Sequence, residues 1–284
     1  MSESDDANPA DERTEADAIR ELDEPLTVER IADDLRELGA EAGDTLLVHS
    51  SLSSLGWVAV GPPTVVDALM EAVTPEGTLV MPTHSTQYSD PAIWENPPVP
   101  DDWVETIRET RPPYRPAVTP TRGMGAIPEC FRTYPDARRS RHPTYSFTAW
   151  GRDAEAIVAD HSYEHGMGEG SPLAEIYARD GRILMLGTQF DTNTSLHLAE
   201  HRADREQGVS TQTAPVVNDE SEREMLTFEQ LEYDADDFAD AGEDFEAEYP
   251  ESITRGTVGM ADAKLLSQRE IVDYGAEWFE ENRE

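Results

Sequence analysis

Cysteine is nearly absent from this chain of 284 residues. Cys130 stands alone, so no intrachain disulfide forms, and the usage fits a reducing, cytoplasmic setting. A lone thiol of this kind is expected to be a buried, inert side chain rather than a nucleophile. Lysine is equally scarce: Lys264 is the only one, which leaves 21 arginines among the 22 basic residues. No apolar run approaches the roughly 20 residues of a membrane span, and the N-terminus is acidic where a signal peptide would be basic. No G-x-S-x-G nucleophile elbow occurs, so no acyl-serine chemistry is signalled.

What is present in excess is negative charge. Sixty acidic residues against 22 basic ones give a net charge of −38, the reverse of a nucleic-acid binder. With lysine nearly missing, this balance reads as adaptation to molar salt, where the Debye length shrinks to about 3 Å and self-repulsion is screened. The first 24 residues carry ten acids and two arginines without an aromatic, and are expected to form a disordered tail. Residues 25–284 then suffice for one catalytic domain. Residues 108–141 invert the trend, with eight arginines and three acids. Guanidinium groups bind phosphate in bidentate fashion, so Arg122, Arg139 and Arg141 are candidate phosphate ligands.

Apolar spacing at Val28, Ile31, Leu35 and Leu38 predicts an amphipathic helix. Thr45–Val48 and Thr78–Met81 read as strands, with a helix over Thr64–Val73 between them. Together they form a βαβ unit whose strands run parallel. Polar residues follow each strand (His49, Ser50, Ser51 and Thr83, His84, Ser85), and the carboxyl ends of parallel strands converge on one crevice. Eight prolines between Ser89 and Pro120 mark a long excursion carrying Asp90.

The central segment is Asp191-Thr-Asn-Thr-Ser-Leu-His-Leu-Ala-Glu-His201, which follows the strand-like run Arg182–Gly187. His197 and His201 share one helical face, with Glu200 beside them. Three readings compete: a capped helix with solvated histidines, an H-x-x-E-H metal site of a hydrolase, and a general base at His197. A fourth, non-catalytic option is a module that only binds its ligands.

The segment resembles the aminoglycoside 3-N-acetyltransferase (antibiotic N-acetyltransferase) family. The likeness extends through Leu47-Val-His-Ser-Ser-Leu-Ser-Ser-Leu-Gly56, Pro75-Glu-Gly-Thr-Leu-Val-Met-Pro-Thr83 and Thr119-Pro-Thr-Arg-Gly-Met-Gly125. It continues in Arg139-Ser-Arg-His-Pro143, Gly168-Glu-Gly-Ser-Pro-Leu173 and Asn193-Thr-Ser-Leu-His-Leu-Ala-Glu200. The resemblance implies a single α/β/α layered domain with a mixed, largely parallel sheet, and a smaller lobe from the 84–120 and 205–260 excursions. It implies direct acetyl transfer from acetyl-CoA to the 3-amino group of an aminoglycoside or related cationic amine, without a metal. His197 would be the base, Glu232 its orienting carboxylate, and Thr83 an oxyanion donor. Ser50, Ser51, Thr121, Arg122, Gly123, Arg139 and Arg141 would hold the coenzyme. Asp90 and Asp234 would hold substrate ammonium groups. A homodimer is compatible with all of this.

Overall fold

The computed structural model describes residues 15–95 and 97–283. Helices α1 (Glu15–Glu21) and α2 (Val28–Glu37) precede strand β1 (Thr45–Ser50), helix α3 (Pro62–Val73) and strand β2 (Thr78–Pro82). Helices α4 (Asp101–Thr110) and α5 (Ala126–Phe131) follow. Then come β3 (Arg138–Arg139), β4 (Phe147–Gly151), α6 (Ala154–Val158), α7 (Pro172–Ala178), β5 (Arg182–Leu186) and α8 (Leu196–Arg202). The hairpin β6 (Val209–Val217) and β7 (Arg223–Leu231), helix α9 (Phe238–Glu248), strands β8 (Ile253–Val258) and β9 (Ala261–Ser267), and helix α10 (Gln268–Asn282) complete the chain.

Seven strands form one sheet in the order β3-β4-β2-β1-β5-β9-β8. Its middle three strands are parallel, with Leu47 opposite Val80 on one side and Ile183 on the other. All other pairs are antiparallel. The α/β layering agrees with the sequence reading, whereas "largely parallel" holds only for the centre. The reason is connection length: β8 and β9 are joined by a tight turn, which permits only an antiparallel pair. Side-chain alternation divides each central strand between two cores. Leu46, Val48, Leu79, Met81, Leu184 and Leu186 face α2, α3 and α5, through Ile31, Leu35, Val65, Leu69 and Phe131. Leu47, Val80, Ile183 and Met185 face the opposite layer, with Ile176, Leu196, Phe238, Ile271 and Phe279. Buried on both faces, these strands read as continuous apolar runs.

The smaller lobe consists of the β6–β7 hairpin with α4 against it. Arg111 donates to the Thr213 and Ser89 carbonyls, and Tyr114 bridges to Val216. The expected 205–260 contribution is thereby cut at about residue 231, since β8 joins the main sheet and α9 packs against α10. The disordered tail also needs correcting. Residues 1–14 lie outside the described residues, but 15–21 are helical and Leu26 forms a bridge with Val58. Ala18 is buried there, which anchors a stretch that composition alone assigns to solvent.

Helix α9 approaches the segment after β5 so closely that a Cβ on Gly242 would lie 2.1 Å from the Phe190 ring. Gly242→Ala is therefore expected to destabilise the fold by about 1–3 kcal/mol through overpacking, in spite of alanine's better helix propensity. Urea unfolding would measure this, and an unchanged or raised midpoint would show that α9 shifts freely.

Candidate active site

Strands β1, β2 and β5 end side by side at Ser50, Pro82 and Leu186, and the ladder continues one step, with Ser51 N–H donating to the Leu186 carbonyl at 2.9 Å. A cavity of about 1070 Å³ opens at this edge, between the strand ends, the Gly123–Gly125 loop and the turn at Thr188–Thr194. His49 Nε2, Ser50 Oγ and Thr188 Oγ1 border it, buried and without a hydrogen-bond partner among the described residues. Native folds rarely leave buried polar atoms unpaired, so three at one cavity point to a ligand or water. Burial lowers the His49 pKa to about 4, so its imidazole is a neutral donor and acceptor. Among the described residues lining the cavity, none is arginine or lysine.

The Thr192–Thr194 wall leads directly into α8. His197 Nδ1 lies 2.6 Å from Glu200 Oε2, an i,i+3 pair that one turn of helix places on one face. Glu200 is 1% exposed, and its other oxygen accepts Asp234 N–H at 3.1 Å and Arg283 Nη1 at 2.6 Å. The His197 ring lies between Tyr233 and Phe238, each centroid 4.8 Å away. With Nδ1 committed to the carboxylate, Nε2 is the nitrogen left for substrate, and the side chain retains 14% exposure. His84, at the end of β2, is buried with Nε2 unpartnered; burial, then the nearby His197 charge, lowers its pKa to about 3.

The second histidine of the H-x-x-E-H run turns elsewhere. His201 Nε2 lies 3.0 Å from the Tyr233 hydroxyl, and burial lowers its pKa to about 4. Tyr233 thus sits against both imidazoles. Among the described residues, no group of three or more His, Cys, Asp and Glu is placed to hold a metal ion. His161 is buried, with its ring nitrogens against Ser140 Oγ and the Gly166 carbonyl.

Of the residues expected from sequence, Ser50, Ser51 and Gly123 line the cavity, and His197 follows its Thr194 wall by three residues, in the first turn of α8. Several others do not serve as expected. Glu232 is exposed and packs against Gly208, because β7 ends at Leu231 and its alternation does not carry past that point. The carboxylate on His197 is Glu200, three residues along the same helix, where sequence reasoning had placed it only in the metal option. Thr83 is fully buried, with its N–H on the Ser146 carbonyl and its hydroxyl between Ser146 O and Thr148 Oγ1. Asp90 is also buried, with its carboxylate held by Arg108, Thr213 Oγ1 and Ala92 N–H. Asp234 is exposed and reaches the site through its backbone N–H, while its side chain accepts from Asp236 N–H.

The arginines divide similarly. Arg139 gives Nε to Ser146 Oγ, Nη1 to the Pro116 and Thr119 carbonyls, and Nη2 to Thr83 O and Ser85 Oγ. That guanidinium is a structural node with no donor left for phosphate. Arg141 is exposed and pairs with Asp219. Thr121 gives both its N–H and its hydroxyl to Glu129, and Arg122 lines a separate cavity of about 360 Å³. His49, His84, Thr188 and Arg283 escaped the sequence reading. Only His49 and His84 left a signal there, as polar residues directly after strands.

A family model described as aminoglycoside 3-N-acetyltransferase matches residues 47–280. The chain is 46% identical over 259 residues to the SPbeta prophage-derived aminoglycoside N(3')-acetyltransferase-like protein YokD of Bacillus subtilis, covering 91% of this chain and 94% of that one. The crystal structure of YokD superposes with a TM-score of 0.90, covering 94% of this chain and 98% of that one at 43% identity. Aminoglycoside N(3)-acetyltransferase VII of Streptomyces paromomycinus is 34% identical over 280 residues, covering 93% of this chain and 94% of its own. AAC-IIIb in its binary structure with CoASH gives a TM-score of 0.81 at 32% identity, covering 91% and 97% of the two chains.

Replacing Arg139 with methionine strands several buried acceptors at once. Arg139→Met is expected to cost about 3 kcal/mol or more in urea unfolding, with coenzyme A affinity of the folded protein within about two-fold of wild type. A loss of affinity at unchanged stability would instead return Arg139 to the phosphate-binding role.

Proposed function

The chain belongs to the aminoglycoside 3-N-acetyltransferase family and is an acyltransferase of that class, and on that premise we propose its substrates and the groups that act on them. The donor is acetyl-CoA, and the acceptor is the 3-amino group of an aminoglycoside or a closely related polyamine. Acetylating that amine removes one positive charge from the acceptor, the chemistry of antibiotic inactivation. The observation that carries the reading is the 2.6 Å contact between His197 Nδ1 and the buried Glu200 carboxylate, on the helix that follows the Thr192–Thr194 wall of the cavity.

As the amine nitrogen bonds to the acyl carbon it loses a proton, and the thioester C–S bond breaks to release coenzyme A as its thiolate, which is protonated from the imidazolium or from solvent. His197 Nε2 accepts the amine proton as general base. Glu200 fixes the Nδ1–H tautomer and stabilises the imidazolium that forms, while Tyr233 and Phe238 restrict the ring's orientation. Bound coenzyme supplies a thioester-activated acetyl group. The free His49, Ser50 and Thr188 groups suit the amide and carbonyl functions of such an elongated, largely uncharged arm. The Gly123–Gly125 loop, with both glycines at positive φ, brings backbone near the same cavity. Holding donor and acceptor together supplies much of the remaining acceleration.

We further propose that the protein is adapted to high salt. The charge of −38 and the single lysine support that reading, and no particular contact is needed for it. Self-repulsion involves every carboxylate, whereas attraction of a cationic amine acts locally in a partly shielded cleft. Folding and activity are therefore expected to rise together toward molar salt, with only a modest increase in the amine KM. Circular dichroism and initial rates on one salt series test this; full folding and peak activity near 0.1 M would refute it.

His197→Ala is expected to lower kcat by about 10²–10⁴ with coenzyme binding retained. Glu200→Gln should lose roughly 10–100-fold, because the amide leaves the imidazolium without its counter-charge, while Glu232→Gln stays within about two-fold. Steady-state rates with acetyl-CoA and an aminoglycoside panel decide between the two carboxylates. Equal losses at His197 and His201 would revive the paired-ligand metal reading, and binding without turnover of any amine would leave a sequestering protein.

A further inference from the structure

Glu200 has a second cationic neighbour that comes from the far end of the chain. Arg283 follows α10, and its side chain is only 9% exposed although it is the penultimate residue. Its Nη1 donates to Glu200 Oε1 at 2.6 Å, its Nε to Asp237 Oδ2 at 2.7 Å and its Nη2 to the Asp234 carbonyl at 2.7 Å. The guanidinium carbon stands 3.9 Å from the Phe279 ring centroid. A guanidinium this enclosed, with four hydrogen bonds to two carboxylates and a carbonyl, fixes the segment after α10 against α8 and the chain beyond β7. The match to the family model stops at residue 280, so this arginine lies beyond the part of the chain that the family describes.

We propose that Arg283 is a positioning residue for the proton-transfer pair: it holds the Glu200 carboxylate aimed at His197 Nδ1, so that the segment after α10 completes the active site. This rests on the assignment of His197 as base. Glu200 is buried, and a buried carboxylate stays charged only with compensating donors. Three are present: His197, Arg283 and the Asp234 N–H. The guanidinium also shares its charge with Asp237, so Glu200 is stabilised without being fully neutralised toward the imidazole. Its planar fork spans Asp237, the Asp234 carbonyl and Glu200 together, tying the segment after β7 to α8; a lysine ammonium has no such fixed geometry. The titratable groups facing the pair are His201 on the same helix, His84 and Tyr145 from the strand-end layer, and Tyr233 and Asp237 beyond β7.

The sign of the effect follows from charge. Without the guanidinium, the Glu200 negative charge acts undiluted on the imidazolium of His197, so the base stays protonated to higher pH. The acidic limb of the rate profile then moves upward, together with the imidazole titration.

The test uses the full chain carrying Arg283→Gln or Arg283→Lys, with kcat/KM followed against pH and the His197 ring nitrogens titrated by ¹⁵N NMR. The glutamine variant is expected to lose about 10–100-fold in kcat, with KM for acetyl-CoA within two-fold, an acidic limb about one pH unit higher and a matching shift in the imidazole titration. The lysine variant should fall between it and wild type. A wild-type profile and titration in a folded glutamine variant, whatever its stability, would overturn the proposal. Should that variant not fold, the lysine variant decides: a displaced limb supports the proposal and a wild-type limb overturns it. The NMR titration reads the contact without turnover. If His197→Ala proved fully active, the base assignment would fail separately from the Arg283 contact.

Discussion

A carboxylate 1% exposed in a protein of net charge −38 is the constraint on which the site depends. Removing a charge from water costs several kcal/mol unless donors surround it, and a chain with few cations has few donors to spend. Glu200 collects them from three directions: an imidazole on its own helix, a backbone N–H beyond the hairpin, and a guanidinium after the last helix. Helix α8, the 232–238 segment and the end of α10 are thereby fixed relative to one another. Phe238 and Phe279, which flank the arginine, belong to the same apolar core as Leu196 and Ile271. Packing and electrostatics therefore locate the His197 imidazole together.

A second node serves the lobe in the same manner. Arg139 joins the end of β2, the start of β4 and the 116–119 loop through carbonyl and hydroxyl acceptors, with Tyr114 against its face. Arg108 and Arg111 attach the 89–90 segment and the hairpin to α4. Where proline-rich chain forms little regular structure, its backbone carbonyls need donors from elsewhere, and arginine with five N–H groups meets that need. Within the arginine-rich stretch 108–141, Arg111 and Arg139 serve unsatisfied backbone in this way, whereas Arg108, Arg132, Arg138 and Arg141 pair with carboxylates.

That distinction explains what the sequence made legible. The strands, the βαβ unit and the convergence of strand ends depend on local periodicity, and all were readable. His197 stood out because a histidine in the first turn of a helix that follows a strand is a local pattern with few uses. Its carboxylate partner was misassigned because Glu200 and Glu232 carry the same chemistry, and only three-dimensional burial separates them: one is sealed under Phe238 and Arg283, the other exposed beside Gly208. Thr83 and Asp90 failed for a related reason. Their side chains are polar at suggestive positions, yet tertiary hydrogen bonds saturate them, and those partners lie 18 to 123 residues away. Arg283 had no local signal at all, since nothing near residue 283 shows that its partner is residue 200.

The uncharged cavity brings the two electrostatic scales together. The cavity at the strand ends presents neutral hydroxyls, a neutral imidazole and glycine backbone, with no lysine or arginine in its described lining. For the proposed donor, a polyanion, such a surface suits its amide-like arm and contributes little at long range. The long-range field of 60 acids against 22 bases instead opposes the approach of the donor and favours that of a cationic acceptor. Salt weakens both effects, so it relieves the donor as it handicaps the acceptor. Within the cleft the acceptor retains more of its attraction, because partly buried charges are screened less than exposed ones. The donor's repulsion arises mainly from the exposed surface and is screened almost completely. In the proposed enzyme, a highly acidic surface and an uncharged donor cavity therefore work together best where the surface field is short-ranged, the condition that concentrated salt provides.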